Sequence, residues 1–385
     1  MHSVRNPIPT ILRHSAVRCS PLHSVDRFLI PAYLLQKTLV TNNQERDCLA
    51  EGIAVIGNSG LTELRKDPAT NRWVLVQKEA SLEGGNGLCP FCPGRESASP
   101  SEIAAYRSNG QPANSAEWLV RVIPERAPLF QIEGDIQREG LGIFDRVSSR
   151  GASEILIEHP DHQATWDALP LSELERILWM YRQRIEDLYG DRQIRCVLIY
   201  RRDRGSDSHI RHPFSRILGA PIVFDDIREE LKAARDHFSR KQRCLYCDIL
   251  HQEICDAARV VDRTASFVVY NPFGSRRPYE TWIVPAVHRH RFEEVSPPEM
   301  AALATTLQTT MRRLHSIQPE PLEMVLHTSP NAAMRLRNDE WRSLAEDYHW
   351  HVELAPIAGA AEGIGGFRVN PVAPELAARR LRSAL

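Results

Sequence analysis

The sequence has no long apolar run. Nothing in its 385 residues approaches the roughly 18–20 consecutive apolar residues that a membrane-spanning helix needs, so no membrane partner is expected. It also lacks an excess of either charge. Its 48 Lys and Arg nearly cancel its 49 Asp and Glu, leaving a net charge of −1. Such a balance gives no electrostatic case for a nucleic-acid or membrane-surface partner. Missing too is the dense cysteine spacing of a small secreted disulfide scaffold. Four of the eight cysteines are scattered (Cys19, Cys48, Cys196, Cys255), and four form two C-x-x-C pairs, Cys89/Cys92 and Cys244/Cys247. In a large chain of soluble composition, such pairs point to metal ligands in a reducing, cytoplasmic setting. A hydrophobic content of 42% is enough for a real core, and the length is comfortable for two domains.

Residues 1–58 show little periodicity beyond an apolar patch at Phe28–Leu35 and read as a poorly ordered N-terminal extension. Their first part carries Arg5, Arg13, Arg18 and several serines before the first acid, Asp26. That composition suits a transit peptide, but there is no amphipathic repeat, and a variable tail is the simpler reading. Beyond Leu61, strands are expected at Arg72–Gln77, Trp118–Ile123, Glu154–Glu158 and Cys196–Tyr200. Another is expected at Ile217–Val223, where Pro221 suggests an edge or a strand end. Helical spacing marks Leu171–Tyr189, and Asp225–Lys241 carries Ile227, Leu231, Ala234 and Phe238 on one face. The pattern then restarts. After Cys244 come strands at Ser266–Tyr270 and Thr281–Val284, a helix across Pro298–His315, and strands at Glu323–His327 and His351–Leu354. This is a duplication at a spacing of roughly 150 residues, too long for a solenoid repeat. It divides the chain into halves at 59–241 and 242–385.

The histidines keep register with the repeat. His162 sits four residues before Trp166, and His288 four before Phe292. His212-Pro213-Phe214 corresponds to His349-Trp350-His351. A structural zinc ion takes four tetrahedral ligands from thiolate and imidazole, and C-x-x-C supplies two on one tight turn. The expected sites are therefore Cys89, Cys92, His162 and His212 in the first half, and Cys244, Cys247, His288 and His349 in the second, with two Zn2+ per chain. The Cys2His2 donor set favours zinc over iron. His290 competes with His288, and only the repeat register separates them. His209, His315 and His327 have no counterpart and read as surface or packing residues.

At these residues the chain resembles the galactose-1-phosphate uridylyltransferases, a duplicated branch of the histidine-triad superfamily. The resemblance is carried by ELRKDPATNRWVLV (63–76), CPFCPG (89–94), EHPDH (158–162) and RHPFSR (211–216). It continues through RCLYCDI (243–249), ETWIVP (280–285), YHWHVE (348–353) and GGFRVNP (365–371). It implies an α+β fold of two histidine-triad-like halves, each an antiparallel sheet with flanking helices. It also implies a homodimer with active sites completed across the interface. The implied reaction moves a uridylyl group between hexose 1-phosphates through a covalent uridylyl-histidine, related members using ADP-hexoses. The implied ligands are a nucleotide sugar and a hexose 1-phosphate. The first zinc set carries over residue by residue, and the family motif is His-x-His-x-Gln: metal ligand, nucleophile, phosphate holder.

Here that motif reads His212-Pro213-Phe214-Ser215-Arg216. A phenyl ring has no lone pair and cannot form the intermediate. The arginine segment expected after RWVLV is replaced at 78–83 by KEASLE, and the asparagine expected after WLVRVI by Glu125-Arg126. The Gly/Ser-rich loop has become an arginine-rich run, with Arg201, Arg202, Arg204 and Arg211 preceding Arg216. These arginines either hold a phosphate or form a solvated loop. Arg368 replaces an aromatic near the C-terminus. Ser215, Arg216 and Arg368 remain as candidate substrate contacts. His351, followed by Glu353, and His209 are the candidate substitute nucleophiles. Two readings follow: a transferase working by an unusual route, or a non-catalytic, zinc-stabilised paralogue that binds a nucleotide sugar or regulates an active homologue.

Overall fold

The computed structural model describes residues 62–77, 89–108, 110–203, 211–333, 341–357 and 367–384. The extension 1–58, the 78–83 segment, Arg204 and His209 lie outside them. In the first half the strands are β1 (Glu63–Lys66), β2 (Trp73–Val76), β3 (Ala104–Arg107), β4 (Trp118–Pro124), β5 (Arg138–Leu141), β6 (Phe144–Ser148), β7 (Ala152–Ile157), β8 (Cys196–Arg202) and β9 (Phe214–Ala220), with helices α1 (Leu171–Gly190) and α2 (Asp225–Lys241). The second half has α3 (Leu245–Asp256), β10 (Val260–Arg263), β11 (Phe267–Tyr270), β12 (Thr281–Pro285), α4 (Pro297–Ile317), β13 (Leu322–His327), α5 (Leu344–Asp347), β14 (His351–Pro356) and α6 (Pro374–Arg382).

Ten strands form one sheet in the order β10-β11-β12-β14-β13-β8-β9-β7-β4-β3. Read outward from the centre, the two halves have the same order, so the duplication is visible as a five-strand unit used twice. Each half contributes the antiparallel sheet expected of it, and the two are joined edge to edge. β13 pairs antiparallel with β8, joining Glu323 to Arg202, Met324 to Arg201, Val325 to Tyr200 and Leu326 to Ile199. Residues Ser59–Leu385 accordingly form one compact unit.

Strand alternation gives the sheet two different faces. Val197 and Ile199 of β8, Ile217 of β9 and Leu326 of β13 point to the face covered by α1 and α4. The helix stripe expected from sequence is the one buried: Leu174, Ile177, Leu178, Tyr181, Ile185 and Leu188 all lie in this core. α4 starts on a capping box, Ser296 with Glu299, with proline in its first turn. On the opposite face, a second sheet of order β2-β1-β6-β5 packs Leu64, Trp73 and Val147 against Tyr200, Leu218 and Ala220. That same face of the second half is covered by α2, whose Ile227, Leu231 and Ala234 pack with Cys196, Tyr246 and Tyr348.

The strand expected at 217–223 runs instead from Phe214 to Ala220, between β7 and β8 in the sheet interior. Pro221 ends it, because a residue without an N–H cannot continue an interior ladder. The short strands β1, β3, β5, β6 and β10 and the helices α3, α5 and α6 were not anticipated. Among the described residues no helix is long and apolar enough to cross a membrane.

His315 is not a bystander. From the end of α4 it reaches the first half, with Nδ1 at 3.1 Å from Asp167 Oδ2 and Nε2 at 3.0 Å from Asp203 Oδ2. Donation from both ring nitrogens requires the imidazolium. The hydrogen bond to Asp203 leads the forces raising its pKa above the ordinary 6.5, against partial burial. Asp203 is in turn lowered, burial being outweighed by Arg201 and His315. A raised folded pKa stabilises most below the unfolded value and fades as pH climbs through the folded one. His315→Ala should therefore lose about 1–2 kcal/mol of unfolding free energy near pH 5.5, shrinking toward zero at alkaline pH. Urea denaturation at both pH values measures this, and a loss that grows with pH would contradict it.

Candidate functional site

Each C-x-x-C pair is brought to its distant histidines by the strand order. Cys89 and Cys92 lie in a turn beside the start of β9, where His212 precedes Phe214, and His162 follows β7. Cys92 Sγ is 3.5 Å from His162 Nδ1 and 3.6 Å from His212 Nδ1, and the two Nδ1 atoms are 3.3 Å apart. His212 Nε2–H donates to the carbonyl of His159 at 2.7 Å, which leaves Nδ1 with its lone pair. Burial lowers the His212 pKa to about 4, so the ring is neutral, as a ligand must be.

In the second half Cys244 caps α3 and Cys247 lies in its first turn. Cys247 Sγ is 3.5 Å from His288 Nδ1 and 3.9 Å from His349 Nδ1, while His288 Nε2–H donates to the carbonyl of Ala345 at 2.8 Å. His290 instead places Nδ1 3.1 Å from Ser329 Oγ, so the structure groups His288 with the cysteines. In both groups the four donor atoms lie within 4.8 Å of one another. A tetrahedral ion with metal–sulfur bonds of about 2.3 Å and metal–nitrogen bonds of about 2.0 Å separates its ligands by about 3.3–3.8 Å. The residues present fit such an ion.

On the face of the first half away from α1, Phe214 is half-buried two residues after His212. Its ring meets Phe91, the residue between Cys89 and Cys92, edge-on at 5.7 Å. The guanidinium of Arg216 lies 5.4 Å over the Phe214 ring and 5.9 Å over Tyr200. Arg216 Nε–H donates to Glu125 Oε1 at 2.9 Å. Glu125 and Arg216, both singled out in the sequence, are thus each other's partner.

Several expected ligand contacts are placed elsewhere. Ser215 points to the opposite face, fully buried, between Tyr181 and Glu158. Arg201 shares that face: its Nε–H donates to Glu158 at 3.0 Å, it also pairs with Asp203, and it lies 4.6 Å over Trp166. Arg202 crosses the seam to Glu323 at 2.7 Å. Arg201 and Arg202 are thus engaged in ion pairs, whereas Arg211 is exposed and Arg204 lies outside the described residues. Arg368 is exposed, on a segment tied by Asn370 to the carbonyls of Ser275 and Arg277 in the second half.

His351 is sealed. It is completely buried, stacked on Trp282 at 4.7 Å and 19°, and flanked by His327 at 4.9 Å. Glu230, inserted from α2, accepts from His327 Nδ1–H at 3.0 Å and from the Tyr348 hydroxyl at 3.0 Å. Burial pulls the His351 pKa down, but the facing carboxylates of Glu230 and Glu353 outweigh it and raise it to about 10. An imidazolium inside the core cannot attack a substrate. Sequence reasoning missed this cluster; of its two readings of His327, surface or packing, the structure shows a buried residue packed on His351 and bonded to Glu230. Glu230, His327, His351 and Glu353 also hold their polar atoms within 4.8 Å of one another, a cluster whose charges are balanced by the proton on His351.

A duplicated antiparallel α+β scaffold with a Cys2His2 group in each half defines the class. The chain belongs to the galactose-1-phosphate uridyl transferase family, whose N-terminal domain model matches residues 61–253. It is 26% identical to the ADP-glucose phosphorylase of Arabidopsis thaliana over 343 residues, covering 83% of this chain and 92% of that protein. It is 26% identical to the galactose-1-phosphate uridylyltransferase of Thermotoga maritima over 339 residues, 84% of this chain and 98% of that one. Among solved structures a uridylyltransferase superposes with a TM-score of 0.69 at 26% identity, covering 84% and 98% of the two chains. The ADP-glucose phosphorylase of Arabidopsis thaliana with bound ADP-glucose shares the fold, with a TM-score of 0.64 at 24% identity over 83% and 98%.

The Glu125–Arg216 pair is testable by a double-mutant cycle. Glu125→Gln and Arg216→Gln should each cost about 1 kcal/mol, and the double variant should cost clearly less than their sum. Additive losses in urea denaturation would show that the two side chains act independently.

Proposed function

We propose that this chain is a non-catalytic, zinc-braced member of its family, which binds a nucleotide sugar or hexose 1-phosphate without forming a uridylyl-histidine. The observation that carries this reading is Phe214, packed on Phe91 beneath an Arg216 already committed to Glu125. Double displacement needs an imidazole nitrogen to attack phosphorus, and a donor to steady the transferred phosphate. Among the described residues of this face neither is offered: the ring is carbon, and the guanidinium is neutralised by its neighbour. His351 supplies no substitute, because Trp282, Tyr246 and Glu230 enclose it.

One zinc would be held by Cys89, Cys92, His162 and His212, and a second by Cys244, Cys247, His288 and His349. A closed Cys2His2 set leaves no open coordination position, so these ions would brace the fold rather than activate water. Homodimer formation and a cytoplasmic setting belong to the same reading.

Two outcomes are expected. Metal analysis of purified protein should return two zinc ions per chain, falling to one in His212→Ala and in His349→Ala; well under two in the unaltered protein sinks the metal assignment. Incubation with UDP-glucose or ADP-glucose carrying label in the nucleotide should leave no acid-labile label on the protein, while equilibrium dialysis detects binding. Label that vanishes in His351→Ala would overturn the non-catalytic reading. Phe214→His combined with Arg216→Gln should restore no label while Glu125 remains.

A further inference from the structure

We infer that a second ligand site lies in the cleft between α2, α5 and the β1–β2 ribbon, and that it takes a nucleoside triphosphate, phosphates on its cations and base against its indoles. The cleft holds about 510 Å³, within the roughly 300–1,000 Å³ typical of small-molecule sites. Six cations line it: Lys66, Arg138, Arg195, Arg228, Lys232 and Arg235. They face two carboxylates, Glu229 and Asp347. In a chain of net charge −1 such a concentration is local, not a reflection of composition.

The cations come from separate elements that converge. Arg228, Lys232 and Arg235 lie at i, i+4 and i+7 of α2, one side of that helix. Lys66 ends β1, Arg138 begins β5 and Arg195 precedes β8. Asp347 lines the cleft near Arg235, its carboxylate also accepting from the Ser343 hydroxyl at 2.6 Å. Arg228 pairs with Asp225 at 2.5 Å. A cluster this rich in guanidinium suits a chain of phosphates, which it can engage bidentately.

Two half-buried tryptophans supply the rest. Lys66 Nζ lies 5.8 Å over the Trp73 ring, and the Arg195 guanidinium 5.8 Å over Trp341. Indole planes beside cations are what a nucleobase stacks on while its phosphates are held. Ile222, Leu231 and Leu344, all buried, form an apolar floor.

This cleft is not the Phe214 face. It opens beyond the far end of β9, and at about 3.3 Å per residue the strand from Phe214 to Ala220 puts roughly 20 Å between the two. It can therefore bind whether or not the first-half face does.

Titration of the full chain with ATP, followed by tryptophan fluorescence and calorimetry, tests the inference. Saturable binding at submillimolar ATP is expected. Lys232→Glu with Arg235→Glu should weaken it at least tenfold, with circular dichroism melts verifying that this variant folds. Trp341→Leu should weaken ATP more than inorganic tripolyphosphate. Arg216→Gln should leave the ATP titration unchanged, separating this cleft from the first-half face. The inference is overturned by any of four results: no saturation up to about 5 mM ATP, indifference to the charge reversals, tripolyphosphate binding as tightly as ATP, or a single-stranded oligonucleotide binding more tightly than the mononucleotide.

Discussion

Four residue pairs join β8 to β13, and through them two five-stranded units become a single sheet. Everything else is arranged around that seam. Because both units run antiparallel outward from it, α1 and α4 come side by side on one face and bury the largest apolar core. On the other face the units are treated differently. The first is flanked by the small β-sheet, and the second is covered by α2, a helix that belongs to the first half of the sequence. The Arg202–Glu323 ion pair across the seam and the His315 bridge to Asp167 and Asp203 add polar ties between units that apolar packing already holds.

The covering helix explains how two copies of one motif have diverged. Phe214 and His351 stand at equivalent positions on β9 and β14. In the second half α2 delivers Glu230 to that position, and the imidazole becomes the centre of a buried charge network. In the first half no helix among the described residues covers the strand, and the same position holds a phenyl ring under a neutralised arginine. Both copies have settled their polar groups internally, by different means.

Much of the scaffold was legible in the sequence, because a duplicated order of paired cysteines, strands and histidines constrains its own register. The grouping of His288 rather than His290 with Cys244 and Cys247 followed from that register. The short strands β1, β3, β5, β6 and β10 were not legible: four or five residues leave too little alternation to recognise. The roles of Arg201 and Ser215 were missed although a signal existed. Arg201 alternates with Val197 and Ile199 on β8, and Ser215 is adjacent in phase to Ile217 on β9, so both belong to the helix-covered face. Glu230 likewise falls three residues after Ile227 and four before Ala234, on the stripe of α2 that is buried. What no local pattern could supply was the fact that this stripe lies over the other half.

The contact between Arg216 and Glu125 also constrains the order in which such a protein could change. Replacing Arg216 alone strands a carboxylate whose pKa burial already pushes upward, against the pull of that arginine. Replacing Glu125 alone strands a guanidinium over two aromatic rings. Each single replacement passes through an unpaired, partly buried charge, while Phe91, set between two cysteines, keeps the space shaped for a phenyl ring. The two side chains thus hold each other in place, and this corner of the fold yields to paired changes more readily than to single ones.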